Sequence, residues 1–121
     1  MIEESEIFIK QVLKLKSKYR SIEEDVAALK LELPRLAFQS ISPLNIHIVT
    51  VEHKEFVTKK VWRIRVLNSD ISKGKRGGYR IFYCEGKFDK SILLLGIYPK
   101  PDIKDNQYAS IAKDLVEACC S

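Results

Sequence analysis

The stretch from Val61 to Tyr83, VWRIRVLNSDISKGKRGGYRIFY, leaves the chain few ways to fold. Trp62, Ile64 and Val66 alternate with Arg63 and Arg65, the period of a strand with one apolar and one charged face. A glycine-punctuated basic loop, Lys73 to Gly78, leads into a second strand-like run, Tyr79 to Tyr83. There Tyr79, Ile81 and Tyr83 share one face, while Arg80, Phe82 and Cys84 share the other. Gly77-Gly78 lets the backbone turn sharply or approach a ligand closely, and so sets Arg80 beside the loop. Between Lys59 and Arg80 there are eight basic residues and one acid, Asp70, a local charge of +7 in a chain whose net charge is +5. The basic character is therefore a patch, and a concentrated patch on a sheet asks for a polyanion, most commonly a phosphate backbone.

A chain of 121 residues, 45% hydrophobic and 31% charged, supports one compact domain with its own core, residues 1–121. No run of 18 apolar residues occurs, and Glu3, Glu4 and Glu6 stand where a secretion signal would be basic. These features predict a cytoplasmic protein with no membrane partner. Cys84, Cys119 and Cys120 match no zinc spacing and read as reduced thiols. His47 and His53 have no acidic or cysteine companion at ligand spacing, so neither a metal nor a cofactor is expected.

Met1 to Ser5 is compatible with a short strand. Phe8, Val12, Leu15 and Tyr19 form a helical stripe from Glu6 onward, with Lys10, Lys14, Lys16 and Lys18 off it. Ser21 opens an S-x-x-E capping box, and Ile22, Val26, Leu29 and Leu33 stripe a second helix that Pro34 is expected to stop. Leu44 to Val51 reads as a strand. Ser91 to Tyr98 is an apolar run suited to a buried strand ending at Pro99, and Asp105 or Asn106 caps a last helix bearing Tyr108, Ile111, Ala112 and Leu115. The predicted class is α+β: a helix hairpin packed on an antiparallel-rich, curved sheet, with a C-terminal helix. The helices are expected mostly on one sheet face, with a basic face opposite.

A basic sheet face can simply bind RNA or DNA. Cleavage of RNA further needs a base for the ribose 2′-hydroxyl, cations for the phosphate and an acid for the leaving oxygen. Arg63, Arg65 and Arg80 are suitable phosphate clamps, because the guanidinium fork matches phosphate oxygens. With no well-placed histidine, the acid and base fall to Tyr98, Tyr108, Lys100, Lys104, Lys73 or Lys75. Lys60, Lys73, Lys75, Arg76 and Lys104 are the wider RNA- or ribosome-binding candidates.

The segments WRIRV, KGKRGGYRIFY and ILLLGIYPK, the final helix, and the earlier KLKSKYRSIEED together resemble the RelE/ParE superfamily of bacterial toxins, and most closely its HigB-type branch. The resemblance covers Trp62 to Leu115 and, more loosely, Glu6 to Leu33. It implies a ribosome-dependent, metal-independent mRNA endonuclease, the toxin of a toxin-antitoxin pair, whose partners are the ribosome, its mRNA and a cognate antitoxin with an acidic segment. By the same resemblance Arg63 and Arg65 match the basic residues of the family's central strand, Arg80 matches that of its GYR segment, and Tyr108 falls near a tyrosine some members use as base. Tyr98 lies nearer the strand end. Pro101-Asp102 replaces a basic residue common after the last strand, leaving Lys100 or Lys104 to substitute. The alternatives are the gyrase-inhibiting ParE branch and a catalytically inactive nucleic-acid- or antitoxin-binding domain. Leu36 to Phe56 has no family reading; it can add a strand or cover a sheet edge.

Overall fold

A computed structural model describes residues 1–36, 46–53, 57–70, 78–86 and 91–119. The elements in order are β1 (Ile2–Glu4), α1 (Glu6–Leu15), α2 (Ile22–Leu36), β2 (Ile46–His53), β3 (Val57–Val66), β4 (Tyr79–Glu85), β5 (Ile92–Pro99) and α3 (Tyr108–Cys119). Short 3₁₀ turns at Lys100–Asp102 and Asp105–Gln107 join β5 to α3. The strands form one five-stranded sheet in the order β1-β5-β4-β3-β2. All neighbours are antiparallel except β1, which runs parallel to β5. The α+β class follows, and β2 is the extra strand that the stretch after Leu36 supplies. Among the described residues no helix is long and apolar enough to cross a membrane.

The alternation read from the sequence sorts the sheet into two faces. Trp62, Ile64 and Val66 join Tyr79, Ile81 and Tyr83 under Phe8 of α1 and Ile22, Val26, Leu29 and Leu33 of α2. Val61, Phe82, Cys84 and Leu95 face the other way and meet Ala112, Leu115 and Val116 of α3. This corrects the expectation of helices gathered on one face. The face that carries the arginines also carries Val61, Phe82, Cys84 and Leu95, each fully buried, and such apolar area is stable only under a cover. The basic surface is therefore only the part of that face that α3 leaves open.

Glycine decides how α3 seats. A side chain at Gly96 would begin 3.0 Å from Leu115 Cδ1 and 3.1 Å from the Tyr98 ring, so the missing Cβ makes room for both. Ser5 joins β1 to the rest. Its hydroxyl accepts from the Phe8 N–H (3.0 Å), capping α1, and donates to the Leu95 carbonyl (2.8 Å), while its N–H donates to Leu94 (2.9 Å).

Two helix boundaries differ from expectation. α1 ends at Leu15, yet Tyr19 is still buried, edge-on to Tyr79 with ring centroids 5.8 Å apart. α2 continues through Pro34 to Leu36, although a proline there gives up its bond to the carbonyl four residues back and crowds that carbonyl. At the start of α2 the Ser21 hydroxyl donates to Asp25 Oδ2 (3.2 Å). The Asp25 carboxylate also accepts from the Ser69 N–H (3.0 Å) and hydroxyl, and Asp70 accepts from the Ser21 N–H (2.9 Å). The residues leading out of β3 are thus tied to the helix hairpin.

Candidate active site

The site is set by sheet register. Arg65 on β3 lies directly opposite Arg80 on β4, and Arg80 lies opposite Tyr98 on β5. Two like charges facing each other across a ladder oppose sheet formation. Such a pair is tolerated where an anion can sit between the side chains. Arg65 and Arg80 line an open cleft of ≈ 430 Å³ together with Lys100, Asp105 and Tyr108. Three cations, one carboxylate and one tyrosine thus line it. Arg80 is 3% exposed even so, and its Nη1 donates to the Tyr79 carbonyl (3.2 Å), so it forms the floor of the cleft.

The wall opposite the arginines comes from the chain after β5. Pro99 and Pro101 flank Lys100 and end the strand in a tight turn. The Lys100 N–H donates to the Gly78 carbonyl (2.9 Å), which fastens this turn to the beginning of β4. Lys100 Nζ then donates to Asp105 Oδ1 (2.5 Å) and to the Tyr108 hydroxyl (3.1 Å). Tyr108 is the first residue of α3 and is buried, its ring in contact with both Arg63 and Phe82.

These contacts move the titrations of the cleft. The hydrogen bond to Asp105, and then that to Tyr108, raises the Lys100 ammonium above its ordinary value; the bond from Lys100, and then Tyr108, lowers the Asp105 carboxyl. The Lys100 contribution is present below the ordinary lysine value and lost as pH rises through the raised one. The Asp105 contribution is present above the ordinary carboxyl value and lost as pH falls through the lowered one. The pair is therefore intact across the neutral range. Asp105→Asn should bring the Lys100 titration down toward its ordinary value, measured on the lysine ¹³Cε signal; an unmoved titration would detach Lys100 from Asp105.

The remaining candidates are dispersed. Arg63 is half-buried on the same face as Arg65, opposite Phe82, but does not line the cleft. Tyr98 does not line it either. Its ring folds over Gly96 edge-on to Phe82 (5.7 Å), burial raises its phenol above the ordinary value, and a hydrogen bond with Gln11 partly offsets this. Lys60 is exposed and alternates onto the Trp62 face, away from the arginines. Lys104 is exposed beside the last turn, its N–H donating to Gln107 (2.8 Å). Lys73, Lys75 and Arg76 lie outside the described residues. Asp105 was read only as a helix cap. The signal available for it was an acid placed in the same loop between two other candidates, Lys100 and Tyr108. Among the described residues no group of three or more His, Cys, Asp or Glu side chains could hold a metal ion.

Electrostatically the cleft suits a phosphodiester. Arginine forks match its oxygens, and a low-dielectric floor strengthens their pull. No protein-family model matches the chain, and no curated protein matches it significantly.

Proposed function

We propose that this protein is a metal-independent mRNA endonuclease with a RelE-like fold, acting in the ribosomal A site as the toxin of a toxin-antitoxin pair. The observation that carries this reading is the in-register pair Arg65 and Arg80, opening on the same cleft as the Lys100–Tyr108 hydrogen bond. Arg65 and Arg80 hold the non-bridging oxygens of the scissile phosphate and compensate charge as the 2′-hydroxyl attacks phosphorus. Tyr108 donates its phenol proton to the departing 5′-oxygen, Lys100 compensates the negative charge left on the phenol oxygen, and the 2′-hydroxyl proton passes to water, which afterwards restores the phenol. Attack by the 2′-oxygen forms a 2′,3′-cyclic phosphate, and the departing oxygen takes up a proton to become a 5′-hydroxyl. The partner expected to silence the cleft is an antitoxin with an acidic segment that meets the patch of +7.

Tyrosine and lysine exchange protons poorly near neutral pH, so the chain depends on a substrate already bent for in-line attack. The ribosome supplies that geometry by holding a codon in place. Purified protein should leave naked mRNA intact and cut the same mRNA in a programmed ribosome complex, read by mapping 5′ ends. Intact mRNA in both reactions, with altered plasmid topology in a gyrase assay, would replace this reading by the gyrase-directed one. Efficient cutting of naked RNA would remove the ribosome requirement while leaving the nuclease.

A further inference from the structure

Arg63 and Arg65 share a strand, a face and a side-chain chemistry, yet the structure gives them different surroundings. Arg65 lines the cleft. The Arg63 guanidinium instead sits over a ring, its Cζ 3.7 Å from the centroid of Tyr108. That distance is in the range of direct stacking, where a guanidinium bonds to the negative face of an aromatic ring and loses hydration. Phe82, directly opposite Arg63 on β4, also meets Tyr108, edge-on with ring centroids 6.2 Å apart. The Arg63 Nε is buried without a hydrogen-bond partner among the described residues, and so is that of Arg65, so the contact with Tyr108 is what sets Arg63 apart. With its guanidinium over the Tyr108 ring and outside the lining of the cleft, Arg63 is turned away from the place where Arg65 and Arg80 meet a ligand.

We infer that Arg63 is a positioning residue acting through Tyr108, and that Arg65 and Arg80 alone among the three arginines hold the ligand's phosphate. The inference rests on the endonuclease reading for its effect on cleavage, but not for the contact itself. Tyr108 is then held at two points. Arg63 and Phe82 fix the plane of its ring, and Lys100, steadied by Asp105, fixes its hydroxyl over the cleft. The charges facing Arg63 are Arg65 on its own strand, Arg80 on β4 and Asp105 in the turn before α3. Burial, and then the two arginines, weigh against its charge, while Tyr108 and Asp105 favour it. A cation kept there at such a cost is consistent with work done on Tyr108.

Three readouts separate positioning from phosphate contact. Binding of a single-stranded RNA oligonucleotide should weaken with salt at a slope of about 0.7 per phosphate contact. Arg65→Met should lower that slope by about 0.7, and Arg63→Met should leave it unchanged. In single-turnover cleavage on the ribosome, Arg63→Met should slow the chemical step by about 10- to 100-fold at an unchanged half-saturating concentration. In protein labelled on its tyrosine rings, Arg63→Met and Arg63→Lys should both displace the Tyr108 signals, and Arg65→Met should not. The ring signals test the contact even if no RNA is cut, in which case the endonuclease reading falls and the assignment of Arg63 is still decided. A salt slope that drops in Arg63→Met as it does in Arg65→Met, or Tyr108 signals indifferent to Arg63, would overturn the inference.

Discussion

Arg80→Ala is expected to abolish growth arrest and to slow cleavage of ribosome-held mRNA by about 10²- to 10³-fold, the usual consequence of losing one preorganised donor to a developing charge. Arg80 forms the cleft floor, directly opposite Arg65 and under the wall built by Lys100 and Tyr108. Being 3% exposed, it also contributes packing, so alanine alone would mix loss of charge with loss of volume. Arg80→Met keeps most of the volume and removes the charge. Because two facing arginines oppose pairing of β3 and β4, that variant should melt within about 5 °C of the wild type while remaining inactive. Growth arrest at wild-type strength from a folded Arg80→Met protein would take Arg80 out of the site.

The second large effect is expected from a residue with no side chain. A Cβ at Gly78 would stand 1.9 Å from the Val66 carbonyl oxygen and 3.0 Å from its carbon, both backbone atoms that no rotamer change can move. Gly78→Ala must therefore push β4 away from the end of β3, at a cost of about 3 kcal/mol. For a domain of this size the melting temperature should fall by about 10 °C or more. Activity should fall with it, since the Gly78 carbonyl receives the Lys100 N–H and the next residues are Tyr79 and Arg80. Thermal melts beside a cleavage assay check both parts. A Gly78→Ala protein with wild-type stability would mean that the close approach is relieved without strain.

Periodicity made the two faces of β3 and β4 readable, because alternation is a local property: Trp62 and Arg63 differ in chemistry and must point apart. The cover over the second face was not readable in the same way. Phe82, Cys84 and Leu95 are recognisably apolar, but nothing in their own segments says which helix reaches them. The division of labour among the arginines was beyond local pattern too, since Arg63 differs from Arg65 only in what α3 lays against it. The tyrosines show the same limit. Tyr98 and Tyr108 are both candidates from the sequence, Tyr98 for its place at the strand end, yet its ring folds over Gly96, whereas Tyr108 is brought back to the sheet by a helix. The Lys100 site was legible, because two prolines around a lysine after an apolar strand leave few places for it to go.

The parallel seam between β1 and β5 has a consequence for synthesis. Ile2 pairs with Ile92 and Glu4 with Leu94, so the beginning of the chain finds its neighbours only after some ninety further residues exist. At about 5 to 20 residues per second, β1 waits for seconds with its edge unpaired. Contacts so distant along the chain also form slowly, because the intervening loop must be closed first. Lys100, Asp105 and Tyr108 emerge later still, so the arginines are translated well before the residues that complete their cleft. The cleft can therefore assemble only after Tyr108 has been made and has reached the sheet.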